Sequence, residues 1–309
     1  MIQIRELFLA ECENRKKIAE TKIDPMIWIK KGLSDNYSVM SFQFFVDWNK
    51  NPYEVTGPLW VSFLVEASKG INFEEISSQE IIEVYKKTNI SNLLEKLTIF
   101  SNRLKTSAEC ILLSEMEVNE ISESNPVWIV TQTENKEGSH FIKKINLKKL
   151  SSKIKENRKG SASLGSKGLI YGTSAIECWL SKTPNLYPGD CDCLIFYNDI
   201  PVSIIEFKKH TLKTPISNNL ANKYYPIPDG RKYDSLFALK KKIDASFNLD
   251  IPFSIVYFST KFNGYRVQVI EKGNNALNIV SDTKDLDYKN YNDQVLIQIG
   301  KKILEEVLP

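Results

Sequence analysis

The sequence predicts an α/β protein of the α+β type, in which a mixed central sheet is flanked by helices. Its 309 residues are enough for two domains. Apolar residues make up 42% and charged residues 26% of the chain, as in ordinary globular proteins. The C-terminal half carries helix and strand patterns in the order α-β-β-α-β-β-α, which indicates helices packed on a mixed sheet.

The N-terminal half mixes both patterns without a recognisable catalytic constellation. Apolar residues at helical spacing predict helices over 3–20 and 77–104. The extended run 127–130 is expected to pair with Phe141 and Ile142 as a hairpin across Glu137-Gly138.

Positive charge is concentrated in the segment 141–160, which holds eight basic side chains and one acidic side chain. Its apolar stripe at helical spacing consists of Leu147, Leu150 and Ile154. Such a helix is either a solvated connection or a surface that contacts phosphates, in which case Lys148 and Lys149 bind nucleic acid. The small residues that follow, within 158–163, place a domain boundary near residue 158.

The C-terminal half predicts its elements more clearly. We expect a helix over 174–181, strands over 192–196 and 202–208, a helix over 231–246, strands over 252–259 and 265–271, and a final helix from about Val295 to Val307. The first helix begins with a capping-box pattern, Ser174 followed by Glu177 three residues later.

Cysteine and histidine usage excludes several classes of protein. The five cysteines are an odd number without a C-x-x-C pair, so we expect neither a disulfide framework nor a zinc ribbon, and a reducing compartment. Only two histidines occur, too few for a histidine-rich metal site. Because no apolar run resembles a signal peptide or a membrane span, we expect a cytoplasmic protein that does not enter a membrane.

The most informative segment is 188–209, where two strand-like runs flank a polar turn. An antiparallel hairpin with Asp199 at the centre of its turn places Asp192 directly across from Glu206. Lys208 shares the face of Glu206, because side chains two residues apart along a strand point the same way. The side chains expected on the opposite face are Ser203, Ile205 and Phe207.

Two carboxylates held side by side repel each other unless a cation lies between them. Mg²⁺ meets that need, because it binds oxygen ligands and typically uses one or two carboxylates together with water and phosphate oxygens. Lys208 could then orient a water molecule or help to deprotonate it for attack on phosphorus. Asp190 competes with Asp192 for this role, although Asp192 leads directly into the apolar strand.

An Asp, a 13-residue gap and Glu-x-Lys resemble the signature of the PD-(D/E)XK nuclease superfamily. More narrowly, DCLIFYNDIPVSIIEFKKHT is similar to the nuclease segment of type I restriction motor subunits. The resemblance implies a restriction-endonuclease-like fold and Mg²⁺-dependent cleavage of DNA, with Mn²⁺ as a substitute. It assigns metal binding to Asp192, Glu206 and the backbone carbonyl of Phe207, and a catalytic role to Lys208.

Further residues are candidates for the same site. Glu177 is either an additional catalytic carboxylate, as the resemblance allows, or only the capping-box partner of Ser174. Nucleic-acid contacts are expected from Lys209 and His210 after the strand, and from Arg231 and Lys232 at the start of the next helix, or these four are ordinary polar surface.

We therefore expect residues 1–158 to form an accessory or recognition domain and residues 159–309 to form the nuclease domain. The resemblance suggests a role in restriction or defence against mobile elements, with the chain acting as a homodimer or with a separate helicase subunit. Two alternatives remain at this point: a nuclease that cleaves RNA, and a catalytically silent module of the same fold that only binds nucleic acid.

Overall fold

A computed structural model of the chain describes residues 1–7, 10–12, 23–132, 140–160, 171–172, 174–289 and 291–309. The strands are β1 Ile2–Glu6, β2 Ala10–Glu11, β3 Tyr37–Val46, β4 Val55–Ala67, β5 Ala108–Ser114, β6 Pro126–Gln132, β7 His140–Asn146, β8 Tyr171–Gly172, β9 Gly189–Tyr197, β10 Ile200–His210, β11 Phe253–Ser259, β12 Gly264–Lys272, β13 Leu277–Asp282 and β14 Leu286–Asp287. The helices are α1 Pro25–Gly32, α2 Ser78–Tyr85, α3 Ile90–Arg103, α4 Leu147–Arg158, α5 Ala175–Leu180, α6 Gly230–Phe247 and α7 Asp293–Val307.

The chain forms two compact units, the first within Met1–Ile18 and Phe42–Gly189 and the second within Ala19–Ser41 and Asp190–Pro309. This division differs from the boundary predicted near residue 158. The α5 helix groups with the first unit because its apolar side chains pack into that unit's core. The α1 helix groups with the second unit, where Trp28 is fully buried. Of the segment that suggested the boundary, residues 161–163 lie outside the described residues.

The sheet of the first unit is mixed, as predicted for the fold class. Its strand order is β3-β4-β5-β6-β7, with β1 also paired to β4. The β4 and β5 strands are parallel, and the other pairs are antiparallel. The predicted hairpin is confirmed, since Val130 pairs with Ile142, although its loop at Glu137-Gly138 lies outside the described residues.

Helices cover this sheet, and their ends correct two predictions. The stripe of Leu147, Leu150 and Ile154 is buried as expected, but α4 begins only at Leu147 because β7 occupies the residues before it. The helix predicted over 77–104 is two helices, α2 and α3, separated by a turn.

The helix predicted over 3–20 is wrong at its start. Residues Ile2–Glu6 form β1, in which half-buried and exposed side chains alternate at the beginning of the strand. Ala10–Glu11 form β2, so the helix is also wrong there, and only the part over 13–20, outside the described residues, stays a prediction.

Two observations bear on the expected compartment. Cys12 and Cys178 of the first unit are joined by a disulfide, which was not predicted from a sequence expected to hold no disulfide framework. Their separation of 166 residues leaves no spacing signal in the sequence. Of the helices described, none combines the length and the apolar character that a bilayer crossing requires.

The sheet of the second unit has the order β13-β12-β11-β10-β9, and β14 also pairs with β12. The β10 and β11 strands are parallel and are connected through α6, whereas β9, β12 and β13 run antiparallel to their neighbours. Every element predicted from the strand at 192–196 onward is present, and β13 and β14 were not predicted. This mixed sheet with helices around it confirms the coarse fold class.

One face of this sheet packs against α1 and α7, which cross at a very short distance. A Cβ atom added to Gly300 would lie 1.9 Å from the backbone oxygen of Trp28, and one added to Gly32 would lie 2.5 Å from the backbone carbon of Gly300. Only glycine permits this approach at either position. The crossing closes the core that includes Ile205 and Val256.

Candidate active site

The β9–β10 hairpin that carries the predicted site turns at two residues rather than one. Asn198 and Asp199 have φ angles of 47° and 62°, the left-handed conformation that a two-residue hairpin turn needs and that Asn and Asp tolerate well. Tyr197 therefore pairs with Ile200, one residue out of the register predicted from a turn centred on Asp199.

A β-bulge corrects this offset before the strands reach the site. The register shifts between Pro201 and Ser203, after which Leu194 pairs with Ile204 and Cys193 pairs with Ile205. Continued by one residue, this register sets Asp192 opposite Glu206. The observed register thus supports the predicted opposition of the two carboxylates. The bulge, which was not predicted, is what restores this register after the two-residue turn.

The two faces of the hairpin have different environments. Cys193 and Ile205 lie in the apolar core with α1 and α7, and Phe207 packs against the same core, as predicted for that face. The face of Glu206 and Lys208 is turned toward α6, because both side chains contact residues of that helix or its cap. The charged side chains are therefore separated from the main core by the sheet itself.

Asp192 is held at the end of the β9–β10 ladder by its own side chain. Its Oδ2 accepts a hydrogen bond from the backbone N–H of Phe207 at 2.8 Å. Its backbone oxygen accepts one from the hydroxyl of Ser41. Burial, together with repulsion from Glu206 and Asp190, raises the pKa of Asp192 well above its usual value.

Glu206 is the most buried acid of the site, with 2% of its surface exposed. One carboxylate oxygen, Oε1, is ion-paired with Lys232. The other, Oε2, is buried without any hydrogen-bond partner. Burial raises the pKa of Glu206; Lys232 opposes that shift and Asp190 adds to it. A buried carboxylate oxygen without a donor is costly, which indicates a missing cation or donor at this position.

Lys208 is held by residues that sequence analysis did not identify. Its Nζ donates to Oδ2 of Asp229 at 2.7 Å and to the hydroxyl of Tyr233 at 3.4 Å. It also lies 5.0 Å from the ring centre of Tyr224 and 5.7 Å from that of Tyr233. The predicted catalytic ammonium group is therefore oriented by the start of α6 and not by the two carboxylates of the hairpin.

Lys232 occupies a different place from the one expected of a nucleic-acid contact. It follows the start of α6 and its Nζ is ion-paired with Glu206, while 44% of its side chain stays exposed. Burial opposes its charge, but the carboxylates of Glu206, Asp190 and Asp192, which we call the acidic cluster, outweigh burial and raise the pKa of Lys232 well above its usual value. Lys232 thus belongs to the acidic cluster in this structure.

Of the other second-unit residues expected to contact nucleic acid, two are exposed and one is buried. Lys209 and Arg231 are exposed in the second unit. His210 is only 5% exposed, and its Nε2 is hydrogen-bonded to the backbone oxygen of Thr214 at 2.7 Å. A buried, engaged imidazole does not suit a phosphate contact, so His210 has a structural role.

In the first unit, Lys148 and Lys149 are exposed on α4, and Lys148 lies 3.4 Å from the carboxylate of Glu123. This ion pair neutralises part of the basic face that the sequence predicts. Glu177 lies in the first turn of α5, where its backbone N–H donates to the hydroxyl of Ser174 at 3.1 Å, which confirms the N-cap. Its alternative role at a metal stays a prediction.

The carboxylates of Asp192 and Glu206 suit a metal ion that needs only one or two protein ligands. Within the part of the chain that is described, no three or more His, Cys, Asp or Glu side chains form a group able to hold a metal by themselves. Mg²⁺ does not require one, since it commonly binds one or two carboxylates and completes its shell with water and phosphate oxygens. Asp192 and the unpartnered Oε2 of Glu206 meet that lower requirement. The structure shows Phe207 bonding to Asp192 through its N–H, and the metal contact predicted for its carbonyl stays a prediction.

No protein-family model matches the chain, and no curated protein sequence matches it significantly. The likeness to nucleases therefore depends on the motif residues alone, which makes their geometry the main support for any function.

Proposed function

We propose that this protein is a Mg²⁺-dependent endonuclease that hydrolyses phosphodiester bonds of DNA. One observation carries the proposal: the β9–β10 register, continued one residue beyond Cys193 and Ile205, sets Asp192 opposite Glu206, whose Oε2 is buried without a donor. Repulsion and burial both destabilise this pair of carboxylates, and a cation bound between them would offset that cost.

Each residue of the chain has a distinct task in this proposal. Asp192 and Glu206 hold the metal ion, which when bound neutralises the charge that develops on the phosphate. Lys208 donates from Nζ to the attacking water molecule and orients it in line with the scissile bond. Asp229 and Tyr233 fix that ammonium group through the two hydrogen bonds described above. Phe207 fixes the carboxylate of Asp192 through its backbone N–H.

Exposed basic residues suit an anionic polymer as the substrate. Lys209 follows Lys208 on β10, and Arg231 precedes Lys232 on α6, so both lie next in sequence to residues of the site. DNA rather than RNA, a role in restriction or defence against mobile elements, and action as a homodimer or with a helicase subunit are parts of the proposal that depend on motif resemblance.

A catalytically silent nucleic-acid-binding module is the second candidate. It is favoured by the ion pair between Lys232 and Glu206, and by the lack, among the described residues, of a metal-holding group of three ligands. In that case the acidic cluster is a remnant that Lys232 compensates, and the exposed basic residues are the functional part.

Incubation with supercoiled plasmid DNA and Mg²⁺ or Mn²⁺ separates the two candidates. We expect nicking or linearisation by the native protein and loss of activity in Asp192→Asn, Glu206→Gln and Lys208→Ala. The exposed variant Glu271→Gln is the matched control and should retain activity. Cleavage of a matched RNA strand but not DNA would indicate the RNA nuclease. If the native protein and its variants bind DNA but none of them cleaves it, the protein is the silent nucleic-acid-binding module.

A further inference from the structure

Lys232 is paired with one of the two carboxylates that are proposed to hold the metal ion. Its Nζ contacts Oε1 of Glu206, a carboxylate that is 2% exposed and that has no partner for its second oxygen. Asp190 and Asp192 add negative charge to the same cluster. Lys208 does not compensate this charge directly, because its ammonium group is paired with Asp229.

A divalent cation and the ammonium group of Lys232 are poor neighbours on one carboxylate. Both are positive, and an ion on Oε2 of Glu206 would lie within a few ångströms of an ammonium on Oε1. The side chain of Lys232 is 44% exposed and has a flexible four-carbon stem, so it can turn toward water without a change in the backbone. Glu206 has no such freedom, since it is buried in the sheet.

We infer that Lys232 is an internal competitor of the divalent cation: it occupies Glu206 when the metal is absent, leaves when the metal binds, and thereby sets the metal affinity of the site. This inference deepens the proposed function and rests on it. Once released, the ammonium group is exposed to solvent near the start of α6 and is available to a phosphate. Metal binding and substrate contact are then linked through one side chain.

Amine labelling of the native protein tests the displacement without any substitution. The protein is treated with a small amount of acetic anhydride with and without Mn²⁺, and acetylation of each lysine is measured by mass spectrometry. Release from the ion pair should increase the labelling of Lys232 several-fold relative to Lys240, because its amine then no longer contacts the buried carboxylate of Glu206 and is open to the reagent. The internal control is Lys240, which is paired with Asp244 and Asp250 and should not respond.

Calorimetric titration with Mn²⁺ tests the effect on affinity. Lys232→Met should bind Mn²⁺ about tenfold more tightly than the native protein, because the ion no longer has to displace an ammonium group from Oε1 of Glu206, and the loss of one charge-assisted hydrogen bond is enough for a change of that size. Lys241→Met, an exposed position on the same helix, should leave the affinity unchanged.

Each outcome decides the inference. It is overturned if native protein binds Mn²⁺ while Lys232 labelling stays constant, or if folded Lys232→Met binds no more tightly than native protein. If Lys232→Met does not fold, the labelling of native protein decides alone. If neither protein binds Mn²⁺, the proposed metal-dependent function fails and this inference fails with it. That result differs from equal Mn²⁺ affinity in the two proteins, which overturns this inference alone.

Discussion

Asp192→Asn is expected to stabilise the protein in the absence of metal, although it changes the centre of the proposed active site. The native carboxylate repels Glu206, and burial adds to the cost of its charge. Asparagine has nearly the same shape and carries no charge. Its amide oxygen can keep the 2.8 Å hydrogen bond from the backbone N–H of Phe207.

The expected magnitude follows from the unpartnered oxygen of Glu206. The amide nitrogen introduced by Asp192→Asn faces this side chain and supplies the donor that its Oε2 lacks. A hydrogen bond to a charged group contributes about 1.5–3 kcal/mol, and relief of the repulsion acts in the same direction. We therefore expect the free energy of unfolding of the second unit to increase by about 2 kcal/mol.

Thermal unfolding in the presence of a chelator at neutral pH measures this effect. A gain of about 2 kcal/mol corresponds to a rise in Tm of roughly 4–8 °C for a unit of this size. Asp35→Asn, an exposed position in the same unit, should change the stability by less than about 0.5 kcal/mol. With saturating Mn²⁺, native protein should gain stability and Asp192→Asn should not. A variant that is less stable than native protein without metal would refute the reasoning.

Three further predictions follow from the same geometry. Because the pKa values of Asp192 and Glu206 are raised, the folded state binds more protons than the unfolded state. The stability of the metal-free protein, measured as its Tm, should therefore fall as the pH rises from about 4 through these raised pKa values. A Tm that rises with pH more steeply in native protein than in Asp192→Asn would contradict this. Asp229→Asn should lower the cleavage rate about tenfold with unchanged Mn²⁺ affinity, because it loosens only Lys208; equal rates would exclude this positioning role. Gly300→Ala should destabilise the second unit by about 3 kcal/mol in urea unfolding, since the new methyl group collides with the α1 backbone; a change below about 0.5 kcal/mol would show that the crossing can relax.

The hairpin and its acidic pair were predictable because strand alternation is a local property of the sequence. Apolar runs before and after Asn198-Asp199 are enough to identify two strands and the face that each residue shares. The bulge after Pro201 was not predictable, since no residue there demands it. The register that, continued by one residue, sets Asp192 opposite Glu206 therefore results from two deviations that cancel, a two-residue turn and a one-residue bulge.

The partners of the two lysines could not be found from sequence. Asp229 and Lys232 lie more than 20 residues from the motif and reach it only because α6 crosses the sheet after β10. The position of Asp229 just before α6 was a weak signal, because acidic residues are common at helix N-termini and give no indication of the lysine they pair with. Charge type alone suggested a phosphate contact for Lys232, whereas the fold gives it an acidic neighbour.

Elements that depend on tertiary packing were missed for a similar reason. The α1 helix lies near the N-terminus yet packs with α7 through Gly32 and Gly300, a contact that no local pattern encodes. The disulfide between Cys12 and Cys178 is likewise invisible without the fold that brings the two residues together.

Anomalous diffraction from crystals soaked with Mn²⁺ tests the central claim most directly. We predict a single strong peak about 2.1 Å from a carboxylate oxygen of Asp192 and from Oε2 of Glu206, with the side chain of Lys232 turned away. Crystals that show no peak at these carboxylates under saturating Mn²⁺, with Lys232 still paired to Glu206, would contradict the account.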